Sequence, residues 1–122
     1  MENYNEKVAI LIKKVGISPA LLGYKYITEA VNMVVDDDTV LDGITKILYP
    51  DIAKKFKSTA VRVERAIRHA VERSFENMPA DMIKAIFSNT ISPKTGKPTN
   101  SEFIATLAEI TTSEPNNPIW SM

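Results

Sequence analysis

Apolar residues recur at helical spacing through most of this 122-residue chain, and nowhere do they alternate as a strand would. Val8, Leu11, Ile12 and Val15 make one stripe over residues 5–15, with Gly16 placed to cap its end. Ser18-Pro19 reads as an N-cap and first helical position for a second helix reaching about Val35. That helix is expected to bury Leu21, Leu22, Ile27, Ala30, Val31 and Val34. Asp36, Asp37 and Asp38 interrupt the pattern, ending one helix and supplying acids to the first turn of the next. A short helix carrying Val40, Leu41, Ile44, Ile47 and Leu48 follows, and Pro50 starts another. A long helix is predicted from about Thr59 to Asn77, and a short one over residues 81–87.

Residues 88–98, SNTISPKTGKP, form the clearest loop. Thr99 and Glu102 then have capping-box spacing, ahead of a last helix burying Phe103, Ile104, Leu107 and Ala108. The expected fold is all-α, a compact bundle of about six helices containing a helix-turn-helix. Residues 1–112 form the domain. Residues 113–122 are expected to be a poorly ordered tail, in which Ile119 and Trp120 are able to dock.

Composition narrows the class. The apolar fraction of 44% and charged fraction of 25% are those of an ordinary globular domain. With no cysteine, disulfides, thiolate metal sites and cysteine nucleophiles are excluded. No apolar run reaches the roughly 18 residues of a membrane span, and no signal-peptide pattern follows the N-terminus. A cytoplasmic protein is expected. No nucleophile–base pair or phosphate-cradling glycine loop is present, so neither enzyme nor cofactor is indicated. The single histidine, His69, does not make a metal site, and the three aspartates lack calcium-loop spacing.

Charge changes the picture more. The whole chain is neutral, yet Lys54, Lys55, Lys57, Arg62, Arg65, Arg68 and Arg73 face only Glu64 and Glu72 between residues 54 and 73, a local net of +5. A short helix with Ile52, Ala53 and Phe56 precedes a turn at Lys57-Ser58, and Ser58 or Thr59 can cap the long basic helix. That order is the layout of a helix-turn-helix, whose second helix enters the DNA major groove. At 100° per residue, Ala60, Val63, Ile67, Ala70, Val71 and Ser74 share the inward side. Val61, Arg65, Arg68 and Glu72 fall within about 60° on the opposite side. Arg62, His69 and Arg73 flank one edge and Glu64 the other.

Arginine can donate two hydrogen bonds to guanine, and glutamate can accept from cytosine. Arg62, Glu64, Arg65 and Arg68 are therefore the expected base readers. Lys54, Lys55, Lys57, Ser58, Thr59 and His69 are placed for phosphate or flanking contacts, as are Lys94 and Lys97 in the later loop. The competing reading is a solvated helix laced by salt bridges, since Glu64 and Glu72 each lie four residues from Arg68.

GITKILYPDIAKKF (43–56), RVERAIRHA (62–70) and GKPTNSEFIA (96–105) resemble the C-terminal effector domain of the sporulation master response regulator family of endospore-forming Firmicutes. The resemblance covers about residues 8–108. It implies a six-helix DNA-binding domain reading double-stranded TGTCGAA-type boxes, often in tandem, so that two copies sit side by side. It places base reading at Arg62, Glu64 and Arg65, with Arg68 and His69 beside them. Val61 stands where the family usually has serine.

The family also carries an activating segment that touches the housekeeping sigma factor. It corresponds here to residues 78–91, with Met82 and Phe87 the expected contacts. Phe87 matches an aromatic of that segment, and a place in the core is its alternative. A phosphorylated receiver precedes the domain in the family and is absent from this chain, which is expected to be either an excised domain or a receiver-less relative.

Overall fold

A computed structural model describes residues 4–88 and 95–122. Among them lie six α-helices: α1 (Asn5–Lys14), α2 (Leu22–Asp36), α3 (Tyr49–Lys55), α4 (Ala60–Asn77), α5 (Ala80–Phe87) and α6 (Asn100–Thr111). α2 is the hub, packing against α1, α4 and α6. The fold is all-α, as the 3.6-residue period requires.

The α1 stripe is completely buried at Val8, Leu11, Ile12 and Val15. The helix stops in a hydrogen-bonded cap. Gly16 takes φ +80°, its N–H donates to the Lys13 carbonyl, and the Ile17 N–H donates to the Ile12 carbonyl. This is a Schellman motif with glycine at its left-handed position. Beyond it, the Ser74 hydroxyl donates to the Val15 carbonyl, so the buried hydroxyl on α4 satisfies the end of α1.

α2 begins later than its Ser-Pro signal predicts. Ser18 closes a tight turn: its Oγ accepts from the Ala20 N–H at 3.1 Å and its carbonyl from the Leu21 N–H. The chain enters the helix only at Leu22, with an extended Leu21 as its cap. This shift of three residues overturns the expected burial at the start: Leu22 is exposed and Leu21 only half-buried. Ile27, Ala30, Val31 and Val34 are buried as expected.

Asp36 ends α2, and the Asp37 carboxylate accepts from the Thr39 N–H (3.0 Å) and hydroxyl (2.6 Å). Those bonds hold the Asp37 carboxyl below its ordinary value. The predicted helix over Val40–Leu48 is a 3-10 turn (Asp38–Gly43) followed by a π turn (Ile44–Leu48) that runs into α3. Of its apolar residues only Leu48 is buried.

Thr99 and Glu102 form the capping box at α6: the Thr99 hydroxyl accepts from the Glu102 N–H, and Glu102 accepts from the Thr99 N–H. Phe103, Ile104, Leu107 and Ala108 are buried. Phe87 of α5 stacks on Phe103, ring centroids 5.2 Å apart, and tilts against Phe75 of α4 at the same distance. Three aromatic rings thus tie α4, α5 and α6 together.

Residues 113–122, expected to be poorly ordered, fold back along α5 and α6 and end in a 3-10 turn, Pro118–Ser121. Ile119 is buried, and the Trp120 indole N–H donates to the Ser113 hydroxyl at 3.3 Å.

Candidate nucleic-acid interface

The basic segment folds as two helices around one tight turn. α3 buries Ile52 and Ala53, and Phe56 sits edge-on to Tyr26 of α2 with centroids 5.5 Å apart. The turn repeats the device at the end of α1. The Lys57 N–H points at the Lys54 carbonyl and the Ser58 N–H donates to the Ala53 carbonyl at 2.8 Å. Lys57 occupies the left-handed position at φ +55°, and it is the only non-glycine residue with positive φ among those described. The turn therefore has glycine's geometry without glycine.

Thr59 caps α4, its hydroxyl accepting from the Arg62 N–H at 3.2 Å. Of the two residues able to cap, Thr59 does so. Along α4, Val63, Ile67, Ala70, Val71 and Ser74 are buried, and Ala60 is half-buried. The opposite ridge of Val61, Arg65, Arg68 and Glu72 is exposed, as are Arg62, His69 and Arg73.

Two hollows flank that ridge. Arg62, Arg65 and His69 gather on one side with Leu22, Gly23 and Ala66. Here α2 crosses α4 so closely that a Cβ on Gly23 would lie 2.3 Å from the Ala66 carbonyl oxygen. On the other side Glu64, Arg68 and Glu72 share a groove with Tyr49, Thr95, Lys97 and Asn100. Lys97, which sequence reasoning could place only in a loop, thus borders the Glu64–Arg68 edge of α4. Lys94 lies outside the described residues.

Some of the predicted charges already have partners. Glu64 Oε1 lies 3.0 Å from Arg68 Nη1, and Arg73 Nη1 lies 3.5 Å from Glu76 Oε2. Lys55 turns to α2, its Nζ 2.7 Å from Glu29 Oε2. In each pair the cation is exposed to water, and such a pair contributes about 0.3–0.5 kcal/mol or less. A polyanion can displace them at small cost. Lys54 and Lys57 are exposed beside the turn, and Ser58 is half-buried.

Met82 and Phe87 are not where a protein contact would need them. Phe87 is fully buried between Phe75 and Phe103, and Met82 is buried too. On α5 the exposed side chains are Ala80, Asp81, Lys84 and Ala85. The helix is short and one-sided, and Met82, Ile86 and Phe87 form its buried side.

Sequence reasoning missed one group altogether. The Asn100 amide donates both to the Tyr49 hydroxyl (3.1 Å) and to the backbone carbonyl of Glu64 (3.3 Å). It joins the starts of α3 and α6 to the second turn of α4. Burial pushes the Tyr49 phenol above its ordinary value, and Glu64 adds to this, while the Asn100 bond and Arg68 oppose it. The three residues are 36 and 51 positions apart, and no local pattern marks such a node.

Among the described residues no helix is long and apolar enough to cross a membrane, and no three His, Cys, Asp or Glu side chains form a metal site. The family described as Sporulation initiation factor Spo0A C terminal matches residues 8–110, which takes in all six helices except the first three residues of α1 and the last of α6. The chain therefore belongs to the Spo0A C-terminal family, and it is a non-catalytic, DNA-binding transcription-regulator domain.

Proposed function

We propose that α4 lies in the major groove and reads sequence through Arg62, Glu64, Arg65 and Arg68. The observation that carries this reading is the division of α4: one side is buried from Val63 to Ser74 and the other presents three exposed arginines in its first three turns. Arg62 and Arg65 are suited to guanine O6 and N7, and Glu64 to a cytosine amine. Lys54, Lys57, Thr59 and the N-terminus of α4 meet phosphates on one flank, and Lys97 meets them on the other. Lys55, Ser58, His69 and Lys94 complete the expected flanking set. The target is a TGTCGAA-type box in genes of sporulation onset, with two copies of the domain on tandem boxes.

Contact with the housekeeping sigma factor, expected over residues 78–91, falls to the exposed side of α5. Ala80, Asp81, Lys84 and Ala85 are its available side chains, because Met82 and Phe87 are buried.

The Glu64–Arg68 pair favours a second reading, in which the face is solvated charge on a helical interaction module. A salt-dependent shift assay on a TGTCGAA duplex separates the two. Binding that strengthens as salt is lowered, and exceeds that to a scrambled duplex, is expected of the reader. No complex even at low salt would establish the interaction module instead. Arg65→Ala is expected to lose about 1–3 kcal/mol, concentrated at one base pair. A loss spread evenly over all sequences would assign Arg65 to phosphate alone.

A further inference from the structure

Val61 is the most exposed large apolar residue among those described, at 60%. A lone exposed valine is ordinary on a protein surface. What sets this one apart is its place. It is the second residue of α4, on the ridge it shares with Arg65 and Arg68, with Arg62 next to it in the chain. The first turn is held by the Thr59 cap, so the Val61 backbone is fixed before any ligand arrives. In a helix a valine keeps essentially one side-chain rotamer, so its two methyls project in a set direction.

We propose that Val61 is a specificity-determining residue that packs against the 5-methyl group of a thymine. The proposal rests on the reading of α4 as the major-groove helix. In that groove an apolar side chain facing guanine, adenine or cytosine would cover hydrogen-bonding groups and give them no partner. Thymine alone offers a methyl, and burying it against valine removes apolar surface from water on both sides. The cations flanking Val61 bring the duplex in, and Val61 then favours one base at one position.

The test uses the duplex that the whole chain selects from random-sequence DNA. Each thymine is replaced in turn by deoxyuridine, which deletes the methyl and leaves base pairing intact. At one position the unaltered protein is expected to bind about three- to fivefold more weakly, the worth of one buried methyl. Val61→Ser is expected to bind thymine and uracil duplexes equally at that position. Val61 is largely outside the core, so the substitution leaves the fold standing, which an unchanged urea midpoint checks.

Equal binding to every uracil duplex overturns the proposal, and so does a methyl preference that survives Val61→Ser. If selection recovers a sequence and Arg65→Ala alters it while uracil has no effect, the base-reading helix stands and only the Val61 contact falls. If selection recovers no sequence at all, both fall together.

Discussion

Lys57 isolates what a single residue contributes. The same Schellman cap closes α1 and α3, once with Gly16 at φ +80° and once with Lys57 at φ +55°. An L-residue in that conformation costs about 1–2 kcal/mol, whereas glycine is at ease there. Glycine also gives the unfolded chain more freedom, worth about 0.4–1 kcal/mol in the other direction. Lys57→Gly should therefore raise stability by about 0.5–1 kcal/mol, read from the urea midpoint at unchanged slope. The same variant should weaken DNA binding uniformly across sequences and reduce the salt dependence by about one phosphate contact. A protein that tolerates strain at an exposed cation of its turn is retaining the cation, and a variant that gains stability while keeping its salt slope would refute that account.

The helices show which parts of the sequence were legible. α4 was read almost residue by residue, because a buried side of Val63, Ile67, Ala70, Val71 and Ser74 leaves a strong period and Thr59 supplies a local cap. The α6 capping box was equally local. At the start of α2, Ser18-Pro19 fits a turn as well as an N-cap, and the structure takes the turn. The family resemblance places Met82 and Phe87 in a contact segment and leaves a core place open for Phe87, and the structure buries both. Gly23 was invisible in the sequence. Inside a helix glycine looks like a weak point, yet here it is the gap that lets α2 lie on the Ala66 backbone. Gly23→Ala should gain helix propensity and still destabilise the domain by about 1–3 kcal/mol through overpacking. It should also disturb the hollow shared by Arg62, Arg65 and His69 and lower DNA affinity. An alanine variant as stable as the parent would show that the two helices can part without loss.

Across the whole molecule, the proposed base-reading side chains and the fold meet at Asn100, which binds Tyr49 and the Glu64 carbonyl together. The node ties the Glu64 edge of α4 to the starts of α3 and α6, and it has a pH signature. Burial holds the Tyr49 phenol above its ordinary value of 10.0, so the folded protein keeps that proton to a higher pH than the unfolded chain does. Above about pH 10 the folded state binds more protons, and stability must fall as pH rises. Below that pH the stabilisation from Tyr49 is fully present. The chain has three other tyrosines, so the informative quantity is the stability difference between the parent and Tyr49→Phe. At neutral pH the phenylalanine variant should be less stable by about 0.5–1.5 kcal/mol, having lost one acceptor for Asn100. As pH passes 10 that difference should shrink, because only the parent loses stability by Tyr49 ionising in the unfolded chain. A difference that stays constant from pH 8 to pH 11 would mean that Tyr49 ionises as freely in the fold as out of it.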